Sequence, residues 1–189
     1  MKTHIQSIPG IVLIEPKRFE DNRGWFSETW NATRMAEIGI EENFVQDNHS
    51  YSRKVGTIRG LHCQVGQYAQ GKLVSCVKGQ IWDVAVDIRA GSPTFGKYVA
   101  AILSACNGHQ LWIPPGFLHG FCTMENDCEV IYKVTSQYHK ESERGVIWND
   151  SEIGLPWPIE PENAVISEKD MSMPKLAEIK KEMSELFIY

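Results

Sequence analysis

Two histidines and one lysine stand at spacings that suit proton transfer. Five residues separate Gly56 from His62, one separates His62 from Gln64, Lys72 follows, and six more lead to Gly79. A second stretch runs from Gly108 through five residues to Pro114, then to Gly116 and His119. Imidazole changes charge near neutral pH and serves as base or acid toward a proton within reach. The ammonium of Lys72, while protonated, has donors and no lone pair, and the neutral amide of Gln64 is a weak ligand. Two good ligands with a lysine between them make a poor transition-metal site. The expectation is acid–base chemistry with no metal and no cofactor.

Such groups need a rigid scaffold, and the sequence supplies strands. Apolar-rich runs bounded by turn residues fall at 11–15, 44–48, 57–62, 72–77, 80–88, 97–104, 110–113, 117–123 and 129–135. That spacing predicts an all-β sandwich or barrel. The run 80–88 alternates, with Trp82, Val84, Val86 and Ile88 on one face and Ile81, Asp83, Ala85 and Asp87 on the other, a period of two that marks a strand. Asp83, sharing the face of Ile81 and Ala85, points to a carboxylate turned toward a polar interior, where it could orient His119. Helices are confined to the flanks. Asn31 can cap a short helix through about Ile38, ended by Gly39. After Pro174, the stripe Leu176, Ile179, Met183, Leu186 and Phe187 recurs at helical intervals and predicts an amphipathic helix packed on the barrel. Between them, prolines 156, 158, 161 and 174 mark 149–174 as an irregular segment draped over the barrel.

A chain of 189 residues is close to the ~150 expected of one domain. We therefore expect a single domain over 1–189, with a barrel core about 44–135 and the irregular segment and helix in 136–189. Nineteen basic against 24 acidic residues give a net charge of −5, with the basic residues scattered; this disfavours nucleic acid and anionic membranes as partners while leaving room for a small anionic ligand. Cysteines 63, 76, 106, 122 and 128 are odd in number and form no CxxC pair, which reads as reduced thiols in a cytoplasmic protein. The longest early apolar run, Ile11 to Ile14, is far too short for a signal-peptide core or a membrane span.

The stretch from Gly56 to Gly79 resembles the first motif of the cupin superfamily, and that from Gly108 to His119 the second. Gln64 and Lys72 stand where metal-binding cupins carry ligands. More specifically, Val45 to Ser50, Arg59 to His62, Ala69 to Val74, Asp83 to Arg89, Ser92 to Gly96 and Ile113 to Phe121 resemble the dTDP-4-dehydrorhamnose 3,5-epimerase family. So do Tyr132-Lys133, Trp148-Asn149-Asp150 and Ser167-Glu168-Lys169-Asp170, and the likeness runs from about residue 4 to 176. The resemblance implies a double-stranded β-helix (cupin jelly roll) with short flanking helices. It also implies a homodimer, a dTDP-4-keto-6-deoxyhexose substrate, and dTDP-rhamnose biosynthesis serving surface polysaccharide such as lipopolysaccharide.

The same resemblance assigns roles. Protons on the third and fifth carbons of a 4-keto sugar lie α to the ketone, and either can be removed if the enolate oxygen is stabilised. His62 matches the family's base, Lys72 the positive charge near the enolate, Tyr132 the acid on the opposite face, and Asp170 the carboxylate behind the base. Arg23, Glu28, Gln46, Asp47, Asn48, Arg59, Lys72, His119, Glu143 and Lys169 match nucleotide-sugar contacts. Tyr138 matches an aromatic that stacks on thymine. The implied reaction takes dTDP-4-dehydro-6-deoxy-D-glucose to dTDP-4-dehydro-L-rhamnose.

Plainer readings stand beside these. His62 alone would be a hydrogen-bonded core histidine, Lys72 an edge lysine, Asp170 a turn cap, and Tyr132 a packing residue in line with Val130 and Val134. Regular parity through His62 puts Arg59 on the opposite face, so the two meet only if Gly60 opens a bulge or Arg59 reaches around an edge or into a neighbouring subunit. Two departures from the family pattern stand out: Cys63 replaces the usual tyrosine, with altered packing expected, and Val65-Gly66-Gln67-Tyr68 replaces a Pro-Pro loop, with less restraint expected. The rival functions are a single-site epimerase, a non-catalytic sugar-nucleotide-binding cupin and a metal-dependent cupin enzyme.

Overall fold

The computed structural model describes residues 1–187, except the side chains of 183–186. Its strands are β1 (Lys2–Ile5), β2 (Val12–Glu15), β3 (Arg18–Asp21), β4 (Gly24–Ser27), β5 (Gln46–Ser52), β6 (Ile58–Gln64), β7 (Lys72–Lys78), β8 (Gln80–Asp87), β9 (Tyr98–Ser104), β10 (Gln110–Ile113), β11 (Phe117–Thr123), β12 (Cys128–Val134) and β13 (Glu143–Gly145). The helices are α1 (Ala32–Ala36), α2 (Glu168–Met171) and α3 (Leu176–Leu186). The strands form a six-stranded sheet in the order β1-β2-β10-β7-β12-β5 and a five-stranded sheet in the order β13-β6-β11-β8-β9, with β3-β4 as a separate hairpin.

The two sheets close on a shared apolar layer, the arrangement of a jelly roll. Val74, Leu111 and Val130 of the first meet Ile81, Ala85, Leu103 and Phe121 of the second in one buried cluster. The alternation read from 80–88 holds, yet both faces of β8 are buried. Ile81 and Ala85 face the interior, while Val84, Val86 and Ile88 lie under Val146, Ile153, Leu176 and Ile179 of the C-terminal segment. Met35 and Ile40 cover Ile14, Leu73 and Trp112 on the outer side of the other sheet. This leaves the polar interior at one end of the roll to the site.

Helix α1 is capped as expected: the Asn31 side chain accepts from the Arg34 N–H at 3.2 Å, and Gly39 follows at φ +81°. In the C-terminal stripe Leu176, Ile179 and Phe187 are buried, while Met183 and Leu186 fall outside the described side chains. Strand β5 begins and ends later than the expected 44–48. Strand β1, the β3-β4 hairpin and β13 lie outside the expected strands: all are short, β1 and the hairpin are mostly exposed, and β13 is a three-residue Glu-Arg-Gly segment with no apolar side chain. One turn of helix, α2, interrupts the irregular segment where Ser167 accepts the Asp170 N–H, so the capping residue is Ser167 and not Asp170.

Candidate active site

The parity conflict in β6 is resolved by a bulge. His119 of β11 pairs with His62 and Phe121 with Arg59, so Gly60 and Leu61 of β6 stand opposite the single Gly120 of β11. Gly60 sits in the bulge at φ +119°, and a Cβ there would lie 2.6 Å from the Gly120 Cα; only glycine fits this approach. Arg59 and His62 consequently line the same cavity, of about 540 Å³.

His62 is held from behind. Its Nε2 lies 2.8 Å from Asp170 Oδ1, and Asp170 Oδ2 accepts the Gly60 N–H at 3.2 Å. Burial alone would raise the Asp170 carboxyl, but the hydrogen bond and charge of His62, with the Gly60 and Ser167 contacts, hold it below its ordinary 3.8. An ionised carboxylate beside Nε2 accepts a hydrogen bond from the ring N–H at that nitrogen, which leaves Nδ1 with the lone pair. A second pair lies deeper: His119 Nε2 is 2.8 Å from Asp83 Oδ1, with both residues buried. Burial pushes the His119 imidazolium below its usual 6.5 against the pull of Asp83. His119 is therefore a neutral ring at physiological pH, oriented by Asp83 as the alternation of β8 suggested.

Lys72 is buried and belongs to β7, an interior strand between β10 and β12, which removes the edge-lysine explanation. Its Nζ approaches the His62 carbonyl at 3.4 Å, and burial pushes its pKa down in spite of the nearby Asp83 and Glu143. Tyr132 faces in from β12, and burial pushes its hydroxyl above 10.0, so it keeps its proton through the physiological range. His62, Lys72 and Tyr132 also line a second cavity of about 280 Å³, so these three side chains border both chambers.

The second chamber is lined by Gln46, Asn48, Lys72, Tyr138 and Glu143 of the expected contacts, and the first by Arg59, Lys72, His119 and Lys169. Gln46 and Asn48 share the inward face of β5, with Gln46 Nε2 donating to Asn48 Oδ1 at 2.8 Å. The Gln46 amide oxygen accepts the Tyr138 N–H at 3.1 Å. The Tyr138 hydroxyl donates to Glu143 at 2.9 Å, and Lys169 Nζ donates to the other Glu143 oxygen at 2.6 Å. Burial would raise Glu143, but these two partners hold it below its ordinary value. Arg59 is aimed by Ser52 Oγ at 3.1 Å and the Tyr51 carbonyl at 3.0 Å.

Three expected contacts lie elsewhere. Arg23 sits at the tip of the β3-β4 hairpin, paired with Asp21 at 2.6 Å. Glu28 pairs with Arg34 at 3.0 Å beside α1. Asp47 points outward from β5 to Lys133 at 2.9 Å, opposite in parity to Gln46 and Asn48. Sequence reasoning in turn missed Ser50, Ser167 and Phe121 in the first chamber and Gln70 in the second. For Ser50 the signal was available, since it alternates with Gln46 and Asn48. Gln64, weighed only as a failed ligand, accepts the His139 N–H at 2.9 Å.

The two departures have structural counterparts. Burial pushes the Cys63 thiol up to about 12, leaving it an inert packing group. The proline-free loop forms a 3₁₀ turn, Gly66–Tyr68, and is restrained after all: the Tyr68 ring stacks on His139 with centroids 4.0 Å apart and planes 9° from parallel. No group of three or more His, Cys, Asp or Glu that could hold a metal ion occurs among the described residues.

The jelly roll thus gathers two carboxylate-oriented imidazoles, a buried lysine and a phenol around one interior, an arrangement able to move protons. Residues 5–178 match the family described as dTDP-4-dehydrorhamnose 3,5-epimerase. A dTDP-4-dehydrorhamnose 3,5-epimerase of Shigella flexneri is 50% identical over 172 residues, covering 90% of this chain and 93% of that protein. The crystal structure of a dTDP-6-deoxy-D-glucose-3,5-epimerase from Legionella pneumophila, in complex with dTDP-4-keto-L-rhamnose, superposes with a TM-score of 0.93 at 44% identity, covering 100% of this chain and 98% of the other. A 3′-monoepimerase from Streptomyces bikiniensis in complex with dTDP-quinovose is more distant, with a TM-score of 0.87 at 28% identity over 94% of this chain and 89% of that one. The chain belongs to the dTDP-4-dehydrorhamnose 3,5-epimerase family.

Proposed function

We propose that the chain converts dTDP-4-dehydro-6-deoxy-D-glucose to dTDP-4-dehydro-L-rhamnose by inverting the third and fifth carbons, and that residues 1–189 act as one catalytic domain. The observation that carries this reading is the placement of base and acid on opposite sheets. His62 projects from β6 of the five-stranded sheet and Tyr132 from β12 of the six-stranded sheet, and both line the same cavity. A ring between them meets a base on one face and a proton donor on the other, which is what inversion requires. His62 takes the α-proton as Asp170 stabilises the imidazolium, Lys72 faces the developing enolate oxygen, and Tyr132 returns a proton to the far face.

Arg59 and Lys169 would meet the diphosphate, with Tyr138 against the base and Gln46, Asn48, His119 and Glu143 completing the contacts. Arg23, Glu28 and Asp47 lie outside their own chain's cavity, and the hairpin that carries Arg23 exposes Phe19, Trp25 and Phe26. Both features support a homodimer in which these residues serve a second copy, a state that light scattering reads directly. A cytoplasmic location is supported by five free cysteines, four of them buried. No helix among the described residues is long and apolar enough to cross a membrane.

The test is incubation with dTDP-4-dehydro-6-deoxyglucose in deuterated water, read by NMR. Deuterium at both carbons is the expected result. Deuterium at one carbon would assign a single-site epimerase, and at neither would reject the enzymatic reading in favour of a binding protein.

A further inference from the structure

The inward face of β5 carries four polar side chains in register, Gln46, Asn48, Ser50 and Ser52. Three are engaged. Gln46 and Asn48 bond each other, Gln46 also holds the Tyr138 N–H, and Ser52 receives Arg59. The hydroxyl of Ser50 is the exception: it is enclosed, with no hydrogen-bond partner. Its β12 neighbour across the ladder is Val130, which offers no side-chain group, and the diagonal neighbour is Tyr132. Ser50 lines the first chamber together with Tyr132, Lys72, His62, His119 and Phe121.

Buried polar groups are nearly always paired, and an orphan is disfavoured unless something else supplies the partner. No hydrogen bond holds the Ser50 hydroxyl in one staggered rotamer, and the residue lines the first chamber. We propose that Ser50 is a substrate-positioning residue: its hydroxyl hydrogen-bonds an oxygen substituent of the sugar ring, fixing the ring between His62 and Tyr132. The inference rests on the epimerase reading above and deepens it. The partner is the sugar, because Ser50 is the diagonal neighbour of Tyr132 and lines the first chamber with His62, Lys72 and Tyr132, the groups proposed to act on the ring, while Tyr138, proposed to meet the nucleoside base, lies in the second.

The test is Ser50→Ala, measured three ways. Thermal unfolding of the free protein should give a midpoint equal to or above that of the parent, since the change deletes an unpaired buried hydroxyl. Affinity for dTDP alone should stay within twofold. For the complete dTDP-4-keto sugar, kcat/KM should fall about tenfold, with the Ser50→Thr variant, which keeps the hydroxyl, recovering part of the loss. A midpoint lowered by several degrees would show that the hydroxyl has a structural partner and overturn the proposal, as would an unchanged kcat/KM. Deuterium exchange by the parent protein separates the two failures. Exchange in the parent with an unaffected Ser50→Ala overturns the Ser50 role alone, and no exchange in the parent overturns both readings.

Discussion

Asp170→Asn is a sharper test of the proposed base than removal of His62 itself, because it changes a proton's location and little else. In the folded protein Asp170 accepts twice, from Gly60 N–H at 3.2 Å and from His62 Nε2 at 2.8 Å. An asparagine has one acceptor and one donor group at these places. The Gly60 N–H cannot be rotated away, so the amide oxygen must face it and the NH₂ must face His62. The ring is then forced to accept at Nε2 and carry its proton on Nδ1, which removes the lone pair that abstracts the substrate proton. The stabilising charge behind the imidazolium is lost at the same time. Losing both effects should lower kcat by about 10²–10⁴-fold, while the lost charge-assisted bond costs about 1–3 kcal/mol of stability. Linkage gives a second readout. The folded Asp170 pKa is depressed, so its contribution to stability is present above the unfolded value near 3.8 and vanishes as pH falls through the lower folded value; the variant should lose that acid-side dependence. Steady-state turnover and solvent exchange are measured for Asp170→Asn and Asp170→Ala together. Alanine leaves the ring free to choose its tautomer and should be the less damaged in exchange. Asparagine within tenfold of the parent, or clearly better than alanine, would refute the tautomer argument.

Tyr132→Phe should keep exchange into the original face while inversion is strongly reduced; full inversion, measured on the same NMR sample, would show the acid to be misassigned. The pH–rate profile should fall on the alkaline side below the 10.5 of a free lysine, because burial pushes Lys72 down while Tyr132 is pushed up and stays protonated there. Stability should change in the opposite sense, since a cation with a lowered folded pKa makes the fold gain stability as pH rises from that value toward 10.5. An alkaline limb at or above 10.5, or one that persists in Lys72→Arg, would refute the assignment. Turnover should survive exhaustive chelation with EDTA, since Gln64 and Lys72 occupy ligand positions with poor ligands; activity lost and then restored by one divalent ion would overturn this.

The strands of the roll were legible because one sheet face must be apolar. In β8 the alternation told both the element and the direction of Asp83, and in β10 and β11 the bounds coincide with the apolar runs. What period alone could not show is that the outer face of β8 is also buried, since its cover comes from Ile153, Leu176 and Ile179, far along the chain. The hairpin β3-β4 and strand β1 gave no signal because they bury little within one chain. In the site, His62 and Lys72 were readable from type and spacing, and the bulge at Gly60 was anticipated by the parity conflict itself. The pairing of Asp170 with His62 spans 108 positions and rests on a single turn of helix in a segment without periodicity. No local pattern encodes it, and only family resemblance pointed there. Asp47 shows the reverse failure, a motif neighbour of Gln46 and Asn48 that strand parity turns away from the cavity.

In the proposed reaction, the buried charges would favour proton abstraction through the side chains of the barrel itself. The interior holds the acidic side chains of Asp83 and Asp170 and the lysine Lys72, all of them buried. Proton abstraction makes one new cation at His62 and one new anion on the sugar. In that proposal each would appear beside a charge already in place, the imidazolium against Asp170, whose Oδ1 lies 2.8 Å from His62 Nε2, and the enolate near Lys72. Neither partner needs to move, so little reorganisation opposes the step, and low solvent access strengthens both attractions. The cation of the resting site is disfavoured by burial, as the lowered Lys72 pKa shows. The enolate relieves that penalty, so the same burial that strains Lys72 in the free protein favours the state in which the proton has left the sugar.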